Sequence, residues 1–324
     1  LGDGLSDVGG VASYGATVNH TFQFGETITW QRGRHLWKVG GQALRYLQNR
    51  FYTGNNGALG RFDYSGRYTG SAHADFLLNL LSAKGRGSTG GKWRQRSWRL
   101  AFFGQDDWKA TSQLTVNLGL RWEYAQPIYE ASDLQSSMDL VTGRVLLAGK
   151  DGNSRALYKP FYYQFMPRLG FGWTPRALGG RTVVRGAYGI TSFLEGTGTN
   201  LRLPLNPPYF FESDVTYSLN QPGDIRTGFA DVQPRKEFAG QVRVWNPDLR
   251  PAFTQQWNLS VERQLTARLS AAADYGYYRH LYSNPGELPA GFPAEFNRHA
   301  IRVGLSLWLP LKGEAAPQAR TAPR

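Results

Sequence analysis

Chemistry needs particular residue types at particular spacings, and this 324-residue chain offers few such sets. Gly85-Arg86-Gly87-Ser88-Thr89-Gly90 has the glycine spacing of a dinucleotide-binding turn. That turn works when a strand leads in and a helix leads out, so that the pyrophosphate meets the helix N-terminus. Here a helix-like run, His73 to Leu81, precedes it and a strand follows, so the segment reads as a flexible loop. Gly91-Lys92 resembles the end of a phosphate loop, but Arg86 stands where its first glycine belongs and Trp93 where Ser or Thr belongs. His20, His35, His73, His280 and His299 have no metal-ligand spacing, and zero cysteines exclude thiolate sites. There is no Gly-x-Ser-x-Gly elbow, and no acid pair is set apart for glycoside chemistry. The expectation is no enzyme, no cofactor and no metal.

Charge and aromatic surface remain. Arg121, Glu123, Arg168, Arg185, Glu262 and Asp274 all fall on the polar side of strand-like segments. They read as a salt-bridged, water-holding lining, some of which would touch a plug or a passing solute. Tyr209, Phe210, Phe211 and Trp245 lie in a long irregular stretch, where exposed rings offer stacking surfaces to a ligand or pack the loop itself. The net charge of +13 is mostly arginine spread along the whole chain without a block, so no nucleic-acid partner is expected.

The elements that position these residues follow a rhythm: strand, tight turn, strand, long irregular stretch. Leu114 to Tyr124 is its clearest unit. Leu114, Val116, Leu118, Leu120, Trp122 and Tyr124 alternate with Thr115, Asn117, Gly119, Arg121 and Glu123. Successive strand side chains point to opposite faces, giving one oily and one wet side. Eleven residues also suit a tilted strand crossing a membrane. Hairpins are expected at Thr21–Gln31 with His35–Arg45, Trp98–Trp108 with Leu114–Tyr124, Pro167–Thr174 with Thr182–Phe193, and Thr254–Arg263 with Arg268–Tyr278. A ninth strand, His299 to Leu309, follows, and the tail 311–324 reads as disordered.

Four connections are short, near Gly33, Thr111, Gly179 and Leu265, and those between the hairpins are long. Soluble sandwiches mix hairpins with crossings; outer-membrane barrels have short periplasmic turns and long extracellular loops. The expected fold is all-β, an antiparallel up-and-down transmembrane barrel in the outer membrane, with residues 21–310 as barrel and 1–20 as a loop or upstream connection. Aromatics at 14%, 39 glycines and a mean hydropathy of -0.45 are compatible with it. Bacterial single-chain barrels use even strand numbers, so nine strands imply a partner upstream of Leu1 and the C-terminal part of a larger barrel.

Several phrases resemble a known family. Phe103-Gly104-Gln105-Asp106-Asp107-Trp108-Lys109 and Leu114 to Tyr124 look like the recurrent hairpin of TonB-dependent outer-membrane receptors. Trp30-Gln31-Arg32-Gly33-Arg34-His35, Tyr68-Thr69-Gly70, Ala74-Asp75-Phe76-Leu77-Leu78 and Gln255-Gln256-Trp257-Asn258-Leu259-Ser260 narrow it to the Oar-like subgroup, which carries a carboxypeptidase-regulatory-like N-terminal domain. The resemblance implies a 22-stranded barrel blocked by a plug and energised through TonB, importing a large or scarce solute. The implied partners are outer-membrane lipid and lipopolysaccharide, an upstream plug, the TonB complex and an unknown solute. The chain has neither plug nor TonB box, and the terminal aromatic common in barrels has Trp308 as its nearest candidate. A structural or adhesive barrel is the second reading, and an anion-binding soluble β domain the third.

Overall fold

The computed structural model describes residues 4, 7–9, 15–89, 92–193, 200–232, 242–281 and 293–309. The predicted tail lies outside these residues, as does Gly90 of the glycine-rich turn. Strands β1 (Gly15–Arg32) and β2 (His35–Tyr52) form the first hairpin. The next connection holds β3 (Arg61–Asp63), helix α1 (Ala72–Leu77) and β4 (Ala83–Thr89). The second hairpin is β5 (Trp93–Trp108) with β6 (Leu114–Ala125), followed by β7 (Tyr129–Glu130), β8 (Ser136–Met138) and β9 (Val145–Leu147). Next come β10 (Gln164–Trp173) and β11 (Thr182–Phe193), then β12 (Phe210–Thr216). A last hairpin, β13 (Ala252–Gln264) with β14 (Leu269–Leu281), leads to β15 (Glu295–Leu307).

The nine long strands make one antiparallel meander in the order β1-β2-β5-β6-β10-β11-β13-β14-β15. β7 adds to β5 beside this path, and the described sheet stays open, with β1 and β15 as its edges. A meander sends every short turn to one end and every long connection to the other. The turns form locally. Gly33 adopts φ +60°, which lets Arg32 pair with His35 across a two-residue reversal. The Thr111 hydroxyl accepts from the backbone N–H of Gln113 (3.1 Å) and Leu114 (3.0 Å). Thr266 repeats the device with Arg268 (3.2 Å) and Leu269 (3.0 Å). A side-chain oxygen thus satisfies two donors that the reversal would strand.

The register keeps like faces together across the whole sheet. Leu118 lies opposite Leu169, Val184 opposite Val261, and Ala273 opposite Val303. Among the described residues no second protein layer covers this apolar face: Leu118 is 43% exposed, Leu120 51% and Val303 80%. Rings border it in two rows. Trp30, Trp37, Trp108 and Trp173 lie near the short turns. Phe102 stacks on Trp122, Trp122 on Tyr124, and Tyr124 on Tyr162 six residues or more up the strands. Six residues of strand span about 20 Å, close to the apolar band of an outer-membrane wall.

The strands outrun their predicted ends at the long-connection side. β1 starts six residues before Thr21, so 15–20 is strand and not loop; β2 runs on to Tyr52 and β5 begins at Trp93. Beyond the oily band both faces carry polar residues, so the alternation vanishes while the backbone ladder continues. The helix is shorter than expected, ending before Asn79, whose φ of +57° stops it. The glycine-rich segment is strand β4, not a flexible loop. It pairs with β12 and β3, and a Cβ on Gly87 would sit 1.9 Å from the Thr53 carbonyl oxygen. Its glycines serve close backbone packing.

Leu118→Arg puts a cation on the apolar face and should cost about 2–4 kcal/mol, read by denaturant unfolding of the lipid-reconstituted barrel. Asn117→Arg, one residue away on the opposite face, should cost far less. Equal losses would contradict the face assignment.

Candidate functional site

The polar face carries the charges singled out in the sequence. Arg121 Nε lies 2.6 Å from Glu123 Oε1, and Arg185 Nη1 lies 3.2 Å from Glu262 Oε2. Both pairs are partly exposed and contribute at most about 1 kcal/mol each, so they organise the face more than they stabilise it. Asp274 stands in register between Ser260 and Arg302. The stem of Arg168 lies across Gly119 and Gly189, and no ion pair to it forms among the described residues. Two recesses of about 560 Å3 each open here, sharing Asn117, Gly170, Ala187, Asn258 and Gly276 together with the ring of Tyr278. Arg168 borders one; Arg185, Asp274 and Arg302 border the other. The small residues leave this space open, and the rim offers ions and amides to water or a solute.

Sequence reasoning missed the tightest network on this face. Asp107 accepts from Lys38 Nζ (3.0 Å), Gln105 Nε2 (2.9 Å) and Asn117 Nδ2 (2.6 Å). Alternation alone places Gln105, Asp107 and Asn117 on one side, but only the register brings Lys38 to them. Asp106 points the other way. It is buried, 2.7 Å from His35 Nδ1, and that imidazole stacks on Trp37 and Trp108. The phrases Trp30–His35 and Phe103–Lys109 meet in this cluster at the short-turn border. No group of three or more His, Cys, Asp or Glu suited to a metal occurs among the described residues.

The long connections fold together at the other end. Asp75 of α1 accepts from the backbone N–H of Thr69 (3.0 Å) and from its hydroxyl (2.7 Å), closing the Tyr68-Thr69-Gly70 turn on the helix. Glu130 is fully buried and accepts from the N–H groups of Arg94 (2.9 Å) and Leu134 (3.0 Å). The four aromatic candidates divide. Phe210 packs with Trp93 and Leu205, and Trp245 packs with Ala148, Leu157 and Leu203. Those two rings are buried and present no stacking surface to a ligand, a correction to the sequence expectation with an ordinary hydrophobic cause. Tyr209 and Phe211 are half-buried. Burial raises the Tyr209 phenol, and the nearby carboxylates of Asp133 and Glu130 add to the rise.

Lys84, from the first connection, is fully buried. Its Nζ donates to Thr227 Oγ1 (2.8 Å) and the Gly228 carbonyl (2.7 Å), and pairs with Asp231. Burial alone would lower its pKa; the bonds to Asp231 and Tyr217 outweigh that and raise it. The Lys84 and Tyr217 bonds hold the Asp231 carboxyl below its usual range. The first and third connections are therefore joined through a buried ion.

A family model described as outer membrane beta barrel domain matches residues 4–283. Among solved structures, the chain is similar to the alcaligin outer membrane receptor FauA from Bordetella pertussis, at 12% identity and a TM-score of 0.38. That alignment covers 90% of this chain and 36% of the receptor, so the chain spans about a third of that protein's length. No curated protein sequence matches the chain significantly.

Asp231→Asn leaves Lys84 buried without its carboxylate. Asp231 is itself 43% exposed, so the loss should be about 2 kcal/mol, below the ~3–5 of a fully buried pair. It should appear as faster amide exchange in β4 and β12. Because the Asp231 pKa is depressed, its contribution is complete above the ordinary carboxylate value of about 3.9 and is lost as pH falls below it. Exchange in β4 and β12 as slow in Asp231→Asn as in the parent at neutral pH would refute the coupling. On the opposite border, His35→Ala strands the Asp106 carboxylate; with His35 itself 38% exposed, it should cost about 2 kcal/mol in denaturant unfolding.

Proposed function

Because the chain belongs to the outer membrane beta barrel domain family, its oily face meets outer-membrane lipid, and we propose that it is the wall of an energy-coupled uptake receptor. The observation that carries this reading is an unclosed sheet of nine consecutive strands above a polar, grooved face. Eight strands already close a small barrel whose own side chains fill it. A sheet still open after nine belongs to a wider cylinder. Such a bore is either an open aqueous channel or plugged; in this reading a plug seals it, and outside energy passes the solute.

In this reading the folded outer connections collect a large or scarce solute, and Arg121, Glu123, Arg168, Arg185, Glu262 and Asp274 line the passage or hold the plug. Tyr209 and Phe211 remain the loop rings for solute contact. Lipopolysaccharide surrounds the outer half of the wall, an upstream plug occupies the bore, and the TonB complex supplies the work. The Oar-like phrases support membership of that subgroup.

A second reading, adhesion without transport, draws on the exposed Leu77, Leu78 and Val141 of the outer connections. Deleting the gene for the whole protein should remove growth on at least one limiting solute in a nutrient panel. Removing TonB from the parent strain should reproduce that loss. If deletion spares growth on every solute but abolishes attachment of cells to surfaces, adhesion replaces uptake.

A further inference from the structure

The meander gathers at one end what the sequence scatters. Arg34, Lys109, Arg176, Arg181 and Arg268 lie in the four short turns, and Arg32 and Arg263 stand at the strand ends beside them. All are exposed, and the turns themselves hold no Asp or Glu. The nearest carboxylates along the strands are already engaged: Asp106 with His35, Asp107 with Lys38, and Glu262 with Arg185. Among the described residues no ion pair forms to any of these turn-end cations. Arg34 Nη1 donates instead to the Ala110 carbonyl (3.1 Å) and Arg176 Nη2 to the Ser112 hydroxyl (3.3 Å), two neutral acceptors. The outer connections do the reverse. There Arg61 pairs with Asp63, Arg155 with Asp133, Lys159 with Asp248 and Arg226 with Asp224.

A cationic rim without counter-charges draws anions from within about one Debye length, ~10 Å at 0.1 M salt. Its neighbours identify the anion. Alternation puts Arg32 in the same outward row as Ile28 and Trp30, and its guanidinium lies 5.9 Å from the centroid of the Trp30 ring. Arg263 extends the outward row of Leu259 and Val261 in the same way. Leu178 and Leu265 stand in the third and fourth turns, 43% and 45% exposed, each between two of the cations. Indoles and leucines suit the boundary where acyl chains meet headgroups, and a guanidinium beside them holds phosphate oxygens in a two-pronged bond. An acidic protein below the membrane would match the charge but leave Arg32 and Arg263, which face along the wall, without a partner. Short turns mark the periplasmic end of an outer-membrane barrel, the phospholipid side.

We propose that this short-turn rim binds the headgroups of anionic phospholipids in the inner leaflet, with Arg32, Arg181, Arg263 and Arg268 as phosphate-binding residues. The site is distinct from the grooves around Arg168 and Arg185 and does not depend on energy-coupled uptake.

The test uses the whole protein in phosphatidylcholine nanodiscs carrying traces of spin-labelled phosphatidylglycerol or phosphatidylcholine. Electron paramagnetic resonance reads the fraction of each lipid immobilised on the protein. Phosphatidylglycerol should be preferred about fivefold, the worth of one surface cation beside an anionic leaflet. Replacing Arg32, Arg181, Arg263 and Arg268 together by Gln should bring the ratio close to parity, as should about 1 M sodium chloride, where the Debye length is about 3 Å. Lys150→Gln, exposed at the opposite end, should leave the preference intact. If the fourfold variant does not assemble, Arg181→Gln with Arg268→Gln decides instead, with about a twofold drop expected. A parent ratio near one, a ratio unmoved by the substitutions, or one that survives the salt would overturn the proposal. So would polyglutamate binding to the parent and not to the variant in the absence of any lipid preference, which would give the rim to an acidic protein.

Discussion

In hydrocarbon, a backbone N–H or C=O has no water to turn to, and leaving one unpaired costs several kcal/mol. The meander follows from that constraint. Each of the seven inner long strands pairs on both sides along its ladder, and the registers align oily faces with oily faces from β1 to β15. Side-chain alternation then does two jobs with one backbone. One set of residues meets lipid and the other builds a hydrated face, so the charged groups need no separate scaffold. The ion pairs on that face contribute little energy individually; their position is what matters, and position is inherited from the ladder.

Where the oily band ends, the governing physics changes. Water returns, and the long connections hold together through packing and buried hydrogen bonds. Trp93, Leu205 and Phe210 form one cluster and Leu157, Leu203 and Trp245 another, while Asp75 and Glu130 gather backbone donors that irregular segments would leave bare. The border at the short-turn end uses a third device. A carboxylate is hydrogen-bonded to an imidazole that stacks on two indole rings, which puts polar groups among the aromatic residues of that border.

How much of this could be read from the sequence depends on whether a residue's neighbours are encoded locally. Leu114 to Tyr124 was legible because the membrane imposes a period of two on it, and Thr182–Phe193 coincides with β11. The upper reaches of β2 and β5 were not, since wet surfaces on both faces erase the period while pairing persists. Gly85 and Gly87 looked like loop residues because their reason is distant: the backbone near Thr53 and the Asn56 amide press against them. Phe210 and Trp245 were misread for the same cause, their partners lying in other connections. The polar-face charges were identifiable by parity alone, but Lys38 joining Asp107 required the strand order, which no local pattern contains.

The Lys84 anchor sets how the outer end can move. Loops that merely touch can swing one at a time, each on its own hinge. Here a cation sealed under the third connection belongs to a strand of the first, so separating them strips a buried ammonium of its partners. The third connection therefore cannot leave the first without breaking the Lys84 bonds to Thr227, Gly228 and Asp231 together.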